Sequence, residues 1–426
     1  MERIQEHEIV IVGGGIAGFT TCLALHRMGL RSIVLESWDS LRISGFALTL
    51  WTNAWKALDA VGIGDSLRKQ SLQMQGFTVA SLNSDLPPLQ SVLAATGKYA
   101  NHECRCVKRK DLLETMLEEL PHGSVRFSSK VVLIEKSGLF KLIHLADGAI
   151  LKTKVLIGCD GVKSVVAKEL AFQEPLSSGR SAIRGLAEFS DGHGLEPKIN
   201  VHFGNGVRFG FVPCDVKCVY WFCTFTPSPN NSNNSDEKAF EEDPLRMKQF
   251  VLGKIASAPR KALDVVERTE LSHISCAELK FRLPWNVLMG NITKDNICVA
   301  GDALHPMTPD IGQGGCSSLE DAVVLARCLG EAILRKTKLH PGEVNEEEEY
   351  GRIKQGLEKY GKDRRWRSFN LISSAFLAGY IQQSEGKIMS FLREKWLAKY
   401  TADAFLRLAN YDCGDLVIPC ANVSNN

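Results

Sequence analysis

No excess charge of either sign marks this sequence: 51 Lys and Arg stand against 49 Asp and Glu, a formal net charge of +2. So even a balance leaves no electrostatic footprint for nucleic acid or for an anionic membrane surface. The one acidic run, Glu346–Glu349, reads as the solvated start of a helix. Paired cysteine motifs are also missing. The 13 cysteines are scattered, with no C-x-x-C spacing and no nearby histidine pattern. No metal site is therefore expected, and the thiols read as free and buried in a reducing compartment. Nor is there a long apolar run. One long uncharged stretch, Ser368 to Ser384, holds Asn370, Gln382, Gln383 and four serines, which spans a bilayer poorly. The first strand begins at Ile9 after eight residues, several of them charged. That leaves no room for a leader peptide, so a cytoplasmic protein without a transmembrane segment is the expectation.

What is present is ordinary globular chain, 44% hydrophobic and 23% charged over 426 residues, enough for two or three interlocked domains. The opening reads strand (Glu8 to Val12), glycine turn, helix (Ile16 to Met28), strand (Arg31 to Leu35), a βαβ unit whose parallel strands need a crossover helix. Lys110 to Leu120 carries an apolar helical stripe, and Lys154 to Gly158 is a buried strand. From about Ser181 the pattern changes to alternating, aromatic-rich strands at Ile199 to Phe203, Val207 to Val212 and Val219 to Phe225. Pro227 to Glu242 reads as an exposed loop. Ile297 to Ala300 returns to a buried strand and Ser317 to Lys336 to a helix, and Tyr350 to Leu408 is largely helical. The fold class expected is α/β: a Rossmann-like nucleotide-binding domain (1–180 and 291–345), an inserted, mostly antiparallel β-sheet substrate domain (181–290), and a helical carboxyl-terminal region (346–426).

Three motifs carry chemistry. Gly13-Gly14-Gly15-Ile16-Ala17-Gly18 lies between a strand and a helix, the context that gives a G-x-G-x-x-G pattern meaning. Gly13 permits the tight turn, Gly15 lets backbone approach a diphosphate, and Gly18 allows close helix–strand packing. The diphosphate then faces a helix amino terminus. Glu36 ends the next strand, where a carboxylate accepts hydrogen bonds from ribose. The second motif, Gly301-Asp302-Ala303-Leu304-His305-Pro306, follows a buried strand and continues through Pro309-Asp310-Ile311-Gly312-Gln313-Gly314-Gly315 into a helix. An acid at the carboxyl end of a parallel strand is placed for a ligand. His305, inside this motif, reads as structural. The third, Cys159-Asp160-Gly161-Val162-Lys163-Ser164, is a weaker strand-to-helix turn.

In this order the three motifs resemble those of the class A flavoprotein monooxygenases, in particular the plant-type salicylate hydroxylase and zeaxanthin epoxidase-like branch. Leu41-Arg42-Ile43-Ser44-Gly45-Phe46, Arg109-Lys110-Asp111-Leu112 and Leu283-Pro284-Trp285 match as well. The resemblance implies that Gly13, Gly15, Ile16, Ala17, Gly18 and Glu36 hold the adenosine half of FAD. By the same resemblance Arg42 belongs to the cofactor site, Arg109 sits near the diphosphate and ribityl chain, and Asp302 bonds the ribityl hydroxyls. Asp160 then belongs to a motif linked to FAD and to the nicotinamide cofactor. Pro309, Gly312, Gly314 and Gly315 border the flavin ring, with Pro309 and the helix start at Gly314 placed for catalysis. One departure is that the Asp-Gly motif continues Val166-Ala167-Lys168, without the arginine common there.

The same resemblance implies a reaction in which NADPH or NADH reduces the flavin and O2 adds to give a flavin hydroperoxide. One oxygen atom then passes to a small-molecule substrate, and a helix amino terminus suits a reduced, anionic flavin. Hydroxylation of a phenolic compound is the leading expectation. Epoxidation of an isoprenoid or other alkene, or a flavin-binding redox regulator without a true substrate, stand beside it. A second dinucleotide fingerprint and a redox cysteine pair are both absent, which disfavours a disulfide reductase. Candidate substrate-site residues are Arg184, His202, Arg208, Phe222 and Trp285. A buried arginine would favour an acid and an apolar pocket an alkene. The aromatic helical tail, with Trp366, Phe369, Phe376, Phe391 and Trp396, suits covering the substrate domain or peripheral contact with a membrane.

Overall fold

The apolar run at the amino terminus becomes the centre of a parallel sheet. In the computed structural model, which describes residues 4–43, 45–84, 87–93, 102–227, 239–334, 345–383 and 406–416, strand Gln5–Val12 is buried from Ile9 onward. It pairs in parallel with Ser32–Leu35 on one side and Ile150–Gly158 on the other. Ile297–Val299 adds in parallel beyond Ile150–Gly158, and Val125–Arg126 beyond Ser32–Leu35. Both faces are covered, so these strands read as continuous apolar runs. A hairpin, Val131–Ser137 with Phe140–Leu145, leans antiparallel on Ile150–Gly158. Helices Ile16–Arg27 and Gly314–Leu334 pack against each other within this layer, all but two of the first helix's residues being buried.

A second sheet of seven strands runs in the order Ile274–Phe281, Leu176–Glu188, Cys218–Phe225, Val207–Pro213, Lys198–Gly204, Gly76–Ser81 and Leu89–Val92. Every pairing is antiparallel except Lys198–Gly204 with Gly76–Ser81. The last two strands come from well before the aromatic-rich stretch, and Leu89–Val92 is exposed throughout, so its alternation carries no burial signal. Alternation divides the sheet. Ile183, Phe209, Phe211, Trp221 and Cys223 face one way, toward helices Pro244–Lys254 and Arg260–Arg268. Leu186, Val201, Phe203, Val212, Tyr220 and Phe222 face the parallel-sheet layer. The two covering helices were not anticipated, although Ala262, Val265 and Val266 do supply an apolar stripe at helical spacing.

The carboxyl-terminal helix runs Glu346–Gln383, 38 residues. It crosses Gly314–Leu334, and its Ala375 and Ala378 pack on Ile311. Phe391 and Trp396 of the expected helical tail lie outside the described residues. No described helix is long and apolar enough to cross a membrane. The described cysteines are all unpaired by disulfide, with Cys106 and Cys214 in hydrogen-bond contact at 3.5 Å.

Candidate active site

The glycine loop after the first strand is built by close approach. Gly13 has φ +104°, and a Cβ there would lie 2.5 Å from the Cys159 carbonyl oxygen; one on Gly18 would lie 1.9 Å from the Gly13 oxygen. Gly15 differs, because a Cβ on it would meet nothing nearer than the Arg109 guanidinium at 3.9 Å. Backbone therefore fills the space behind Gly13 and Gly18 while Gly15 opens onto free space at the start of helix Ile16–Arg27. Exposed N–H groups and the helix dipole make that opening suited to a diphosphate. Glu36, buried, accepts from the Gly14 N–H at 2.6 Å through Oε2 and from the Trp38 N–H at 2.9 Å through Oε1. It thus steadies the loop itself and keeps lone pairs for a ribose.

Arg109 begins helix Arg109–Glu118 and is half-buried above Gly15, donating to the Arg42 carbonyl at 3.1 Å. Arg42 is exposed and lies over the Trp38 ring at 6.0 Å. Desolvation lowers the Arg109 pKa, opposed by the nearby Asp302 carboxylate. Asp302 is solvent-accessible although crowded by protein, the condition of a group at the floor of a cleft. Burial pushes its pKa up, and the charges of His305, Arg109 and Arg184 pull against that rise. Gly301 presses close to Ala17 and Ser318, a Cβ there lying 2.7 Å from the Ala17 Cβ. The glycine loop, the Asp302 turn and helix Gly314–Leu334 hence converge on one cleft.

A buried ion network, absent from the sequence reading, holds the Asp302 turn from behind. Asp321 accepts from the Gly301 N–H at 2.7 Å and pairs with His305 Nε2 at 2.6 Å through one oxygen. Through the other it accepts from Arg364 Nε at 2.6 Å. Glu320 pairs with Arg364 and Arg367 at 2.8 and 2.7 Å. His305, Glu320, Asp321 and Arg364 are each 0% exposed. His305 is thus a buried member of this network, and through Arg364 the long carboxyl-terminal helix bears directly on the Asp302 turn.

Pro309, exposed, opens the turn to Gly312, which has φ +59° and faces the Trp51 Nε1. Trp51 stacks on Phe77, ring centroids 5.8 Å apart. Gly314 starts the following helix, and Gly315 abuts Leu48 and Ile16. Asp310, between Pro309 and Gly312, is fully buried and binds Arg180 through two contacts, 3.0 and 2.6 Å, and Arg208 at 3.2 Å. Burial works against the Asp310 carboxylate, yet the two guanidiniums hold its pKa below the usual range. This ion cluster ties the glycine turn to the second sheet.

Four of the five candidate substrate residues lie on the second sheet, but only three face the cleft. Arg184 and Phe222 are cross-strand partners, and Arg208 lies over the Phe222 ring at 5.2 Å. His202 points to the opposite face, buried and stacked on Phe211 at 6.1 Å. Strand alternation decides this, because His202 is one residue out of phase with Val201 and Phe203. Trp285 is 58% exposed on helix Pro284–Met289, against Phe369, away from the cleft. Asp160 spends its carboxylate locally, on Ser164 Oγ at 2.5 Å and the Val165 N–H at 2.7 Å. Burial raises its pKa, and its backbone backs Gly13.

The open face at Gly15 and the accessible acid at 302 fit the two ends of a flavin dinucleotide. Comparison with known proteins agrees. The FAD binding domain family matches residues 6–247 and 263–340. The chain belongs to that family. It is similar to Monooxygenase 2 of Arabidopsis thaliana, 50% identical over 98% of this chain and 100% of the relative. Monooxygenase 1 of the same plant is 34% identical over 97% of this chain and 100% of its own length. Among solved structures, Klebsiella pneumoniae HpxO complexed with FAD and uric acid has a TM-score of 0.77, with 21% identity over 95% of this chain and 97% of that one. The protein is an FAD-dependent monooxygenase.

In this monooxygenase Asp302→Ala is expected to fold but weaken FAD binding roughly 10- to 100-fold, the loss of charge-assisted hydrogen bonds. Flavin absorbance per protein after gel filtration checks this. Undiminished flavin content would remove Asp302 from the ribityl site.

Proposed function

We propose that this monooxygenase hydroxylates a small phenolic compound, using NADPH or NADH and O2. The observation that carries the reading is the juxtaposition of an aromatic, cationic sheet face (Tyr220, Phe222, Arg184) with the glycine turn Pro309–Gly315. The half-buried Arg184 favours a polar ring over an apolar alkene. That HpxO is complexed with uric acid supports a small ring compound in the corresponding place.

Bound FAD supplies the oxygen-activating redox chemistry, while the chain binds, orients and excludes water. Gly15 and the helix start at Ile16 would take the diphosphate, Arg109 would lie beside it, and Asp302 would take the ribityl hydroxyls. The N–H groups at the start of helix Gly314–Leu334 would face the ring and favour negative charge there. Pro309 and Gly312 shape the adjoining backbone. Phe222 and Tyr220 supply an apolar wall that aligns a substrate ring and limits water. For the nicotinamide cofactor, Lys163, Lys168 and Lys280 line a cleft beside the Asp160 turn, a cationic setting suited to phosphate. Of these, Lys168 lies in the continuation Val166-Ala167-Lys168 that lacks the motif's usual arginine.

The test is to supply the yellow protein with NADPH or NADH, 18O2 and a panel of phenolic and isoprenoid compounds. Accelerated NAD(P)H oxidation with one labelled oxygen in a phenolic product is expected. Oxidation that yields hydrogen peroxide with every compound would defeat the proposal.

A further inference from the structure

The Asp302 turn and the glycine turn are each held from behind by a buried polar side chain. Asp321 takes the Gly301 N–H at 2.7 Å. Gln313, between Gly312 and Gly314, is 1% exposed and accepts from Asn53 Nδ2 at 2.8 Å, and the same amide group donates to Glu320. Behind these side chains lie residues 406–416, far past the last glycine of the site.

Polar contacts fasten that segment. The Asn53 N–H donates to the Ala409 carbonyl at 3.0 Å. Arg367 Nη2 donates to the Leu408 carbonyl at 2.7 Å, and Arg327 to the Cys413 carbonyl. Lys56 pairs with Asp412 at 2.9 Å. The Tyr411 ring lies against two guanidiniums of the buried network, 5.1 Å from Arg364 and 4.7 Å from Arg367. Each turn is therefore joined to the segment by one chain of contacts. The first runs from Ala409 through Asn53 to Gln313. The second runs from Tyr411 through Arg364 and Asp321 to the Gly301 N–H.

Apolar packing of Leu406 and Leu416 on the main core would be enough to dock the segment. Tyr411 adds something more specific. Its ring covers the guanidiniums with a face that attracts cations and keeps water from them. Ion pairs shielded in this way stay strong, so Asp321 and Glu320 stay fixed.

We infer that Tyr411 is a positioning residue for FAD, part of a carboxyl-terminal clasp, residues 406–416, that holds both turns in the binding geometry. The inference rests on the reading that these turns meet the flavin, and it assigns part of the cofactor's affinity to a segment outside every cofactor motif.

The experiment titrates the apoprotein with FAD, followed by quenching of flavin fluorescence. Y411L is expected to bind FAD roughly tenfold more weakly, the scale of one desolvated cation–π contact. Y411F keeps the ring and should keep wild-type affinity. Linkage requires that FAD in turn steadies the clasp. In wild type, saturating FAD should slow amide hydrogen exchange in 406–416 severalfold, although Asn53 and Arg364 stand between that segment and the cleft. Helix Arg260–Arg268, on the outer side of the second sheet, should keep its exchange rate. A segment that merely completes the fold would not respond in this way, and the measurement needs no variant to fold. Wild-type affinity in Y411L, or exchange in 406–416 indifferent to FAD, overturns the inference. FAD lost from Asp302→Ala but kept by Y411L would remove the clasp and leave the Asp302 turn standing. FAD kept by both would remove the turn's role as well.

Discussion

Replacing Gly18 by Ala is expected to give protein without bound FAD. The added methyl would stand 1.9 Å from the Gly13 carbonyl oxygen and 3.1 Å from its carbon. Neither atom belongs to a side chain that can rotate away, so the helix Ile16–Arg27 or the loop before it must shift by about an ångström, an overpacking strain of roughly 1–3 kcal/mol or more. That shift moves the N–H groups meant for the diphosphate, so the damage falls on the cofactor as well as on stability. Gly15→Ala is the informative contrast. Its methyl meets only the tip of Arg109 at 3.9 Å, so the apoprotein should keep its thermal stability while the methyl intrudes on ligand space. Circular dichroism and the ratio of flavin to protein absorbance distinguish the two. A Gly18→Ala protein as yellow as wild type would show that the loop does not grip the cofactor as described.

Arg364→Met should cost about 3–5 kcal/mol of stability, the range seen when one partner of a buried ion pair is removed. The methionine would leave Asp321 and Glu320 at 0% exposure with their negative charge only partly met by His305, Arg367 and Asn53. Since Asp321 also receives the Gly301 N–H, the loss should loosen the Asp302 turn and weaken FAD binding in parallel. Urea unfolding with and without excess FAD measures both effects, and a change below about 1 kcal/mol would mean the network relaxes freely, against expectation. The same network predicts acid lability. Burial opposes the Asp321 carboxylate, but His305 and Arg364 hold its pKa below the ordinary 3.8. A depressed folded-state pKa contributes stability that is present above the unfolded value and lost as pH falls through the folded one. Wild type should accordingly lose this contribution below about pH 4, and Arg364→Met should show a smaller acid-dependent loss.

Much of the cofactor half was legible because its determinants are local. Gly13, Gly15 and Gly18 are contiguous, and their strand and helix flank them directly. Asp302 and Gly312–Gly315 sit on one short segment between a buried strand and a helix. Both halves of the parallel sheet were readable for the same reason, since strands buried on two faces appear as plain apolar runs. The substrate side was less readable. Phe222 and Arg184 lie on the cleft-facing side of the sheet, but His202 falls on the opposite face of its strand and Trp285 on the outer surface. A one-residue phase on a strand is invisible until the register is known. The segments Gly76–Ser81 and Leu89–Val92 joined the second sheet without an alternating pattern to announce them.

Sequence alone pointed to the chemistry that short motifs encode, the binding of FAD, because the glycine loop and the acid proposed to hold it each lie within a few residues of the strand and helix that position them. Only the tertiary structure decided which charges are free. Asp310 with Arg180 and Arg208, and Asp321 with Arg364, are pairs separated by 130, 102 and 43 residues. A buried charge's state depends on what folding brings within a few ångströms of it, and nothing in the linear order of the chain records that distance.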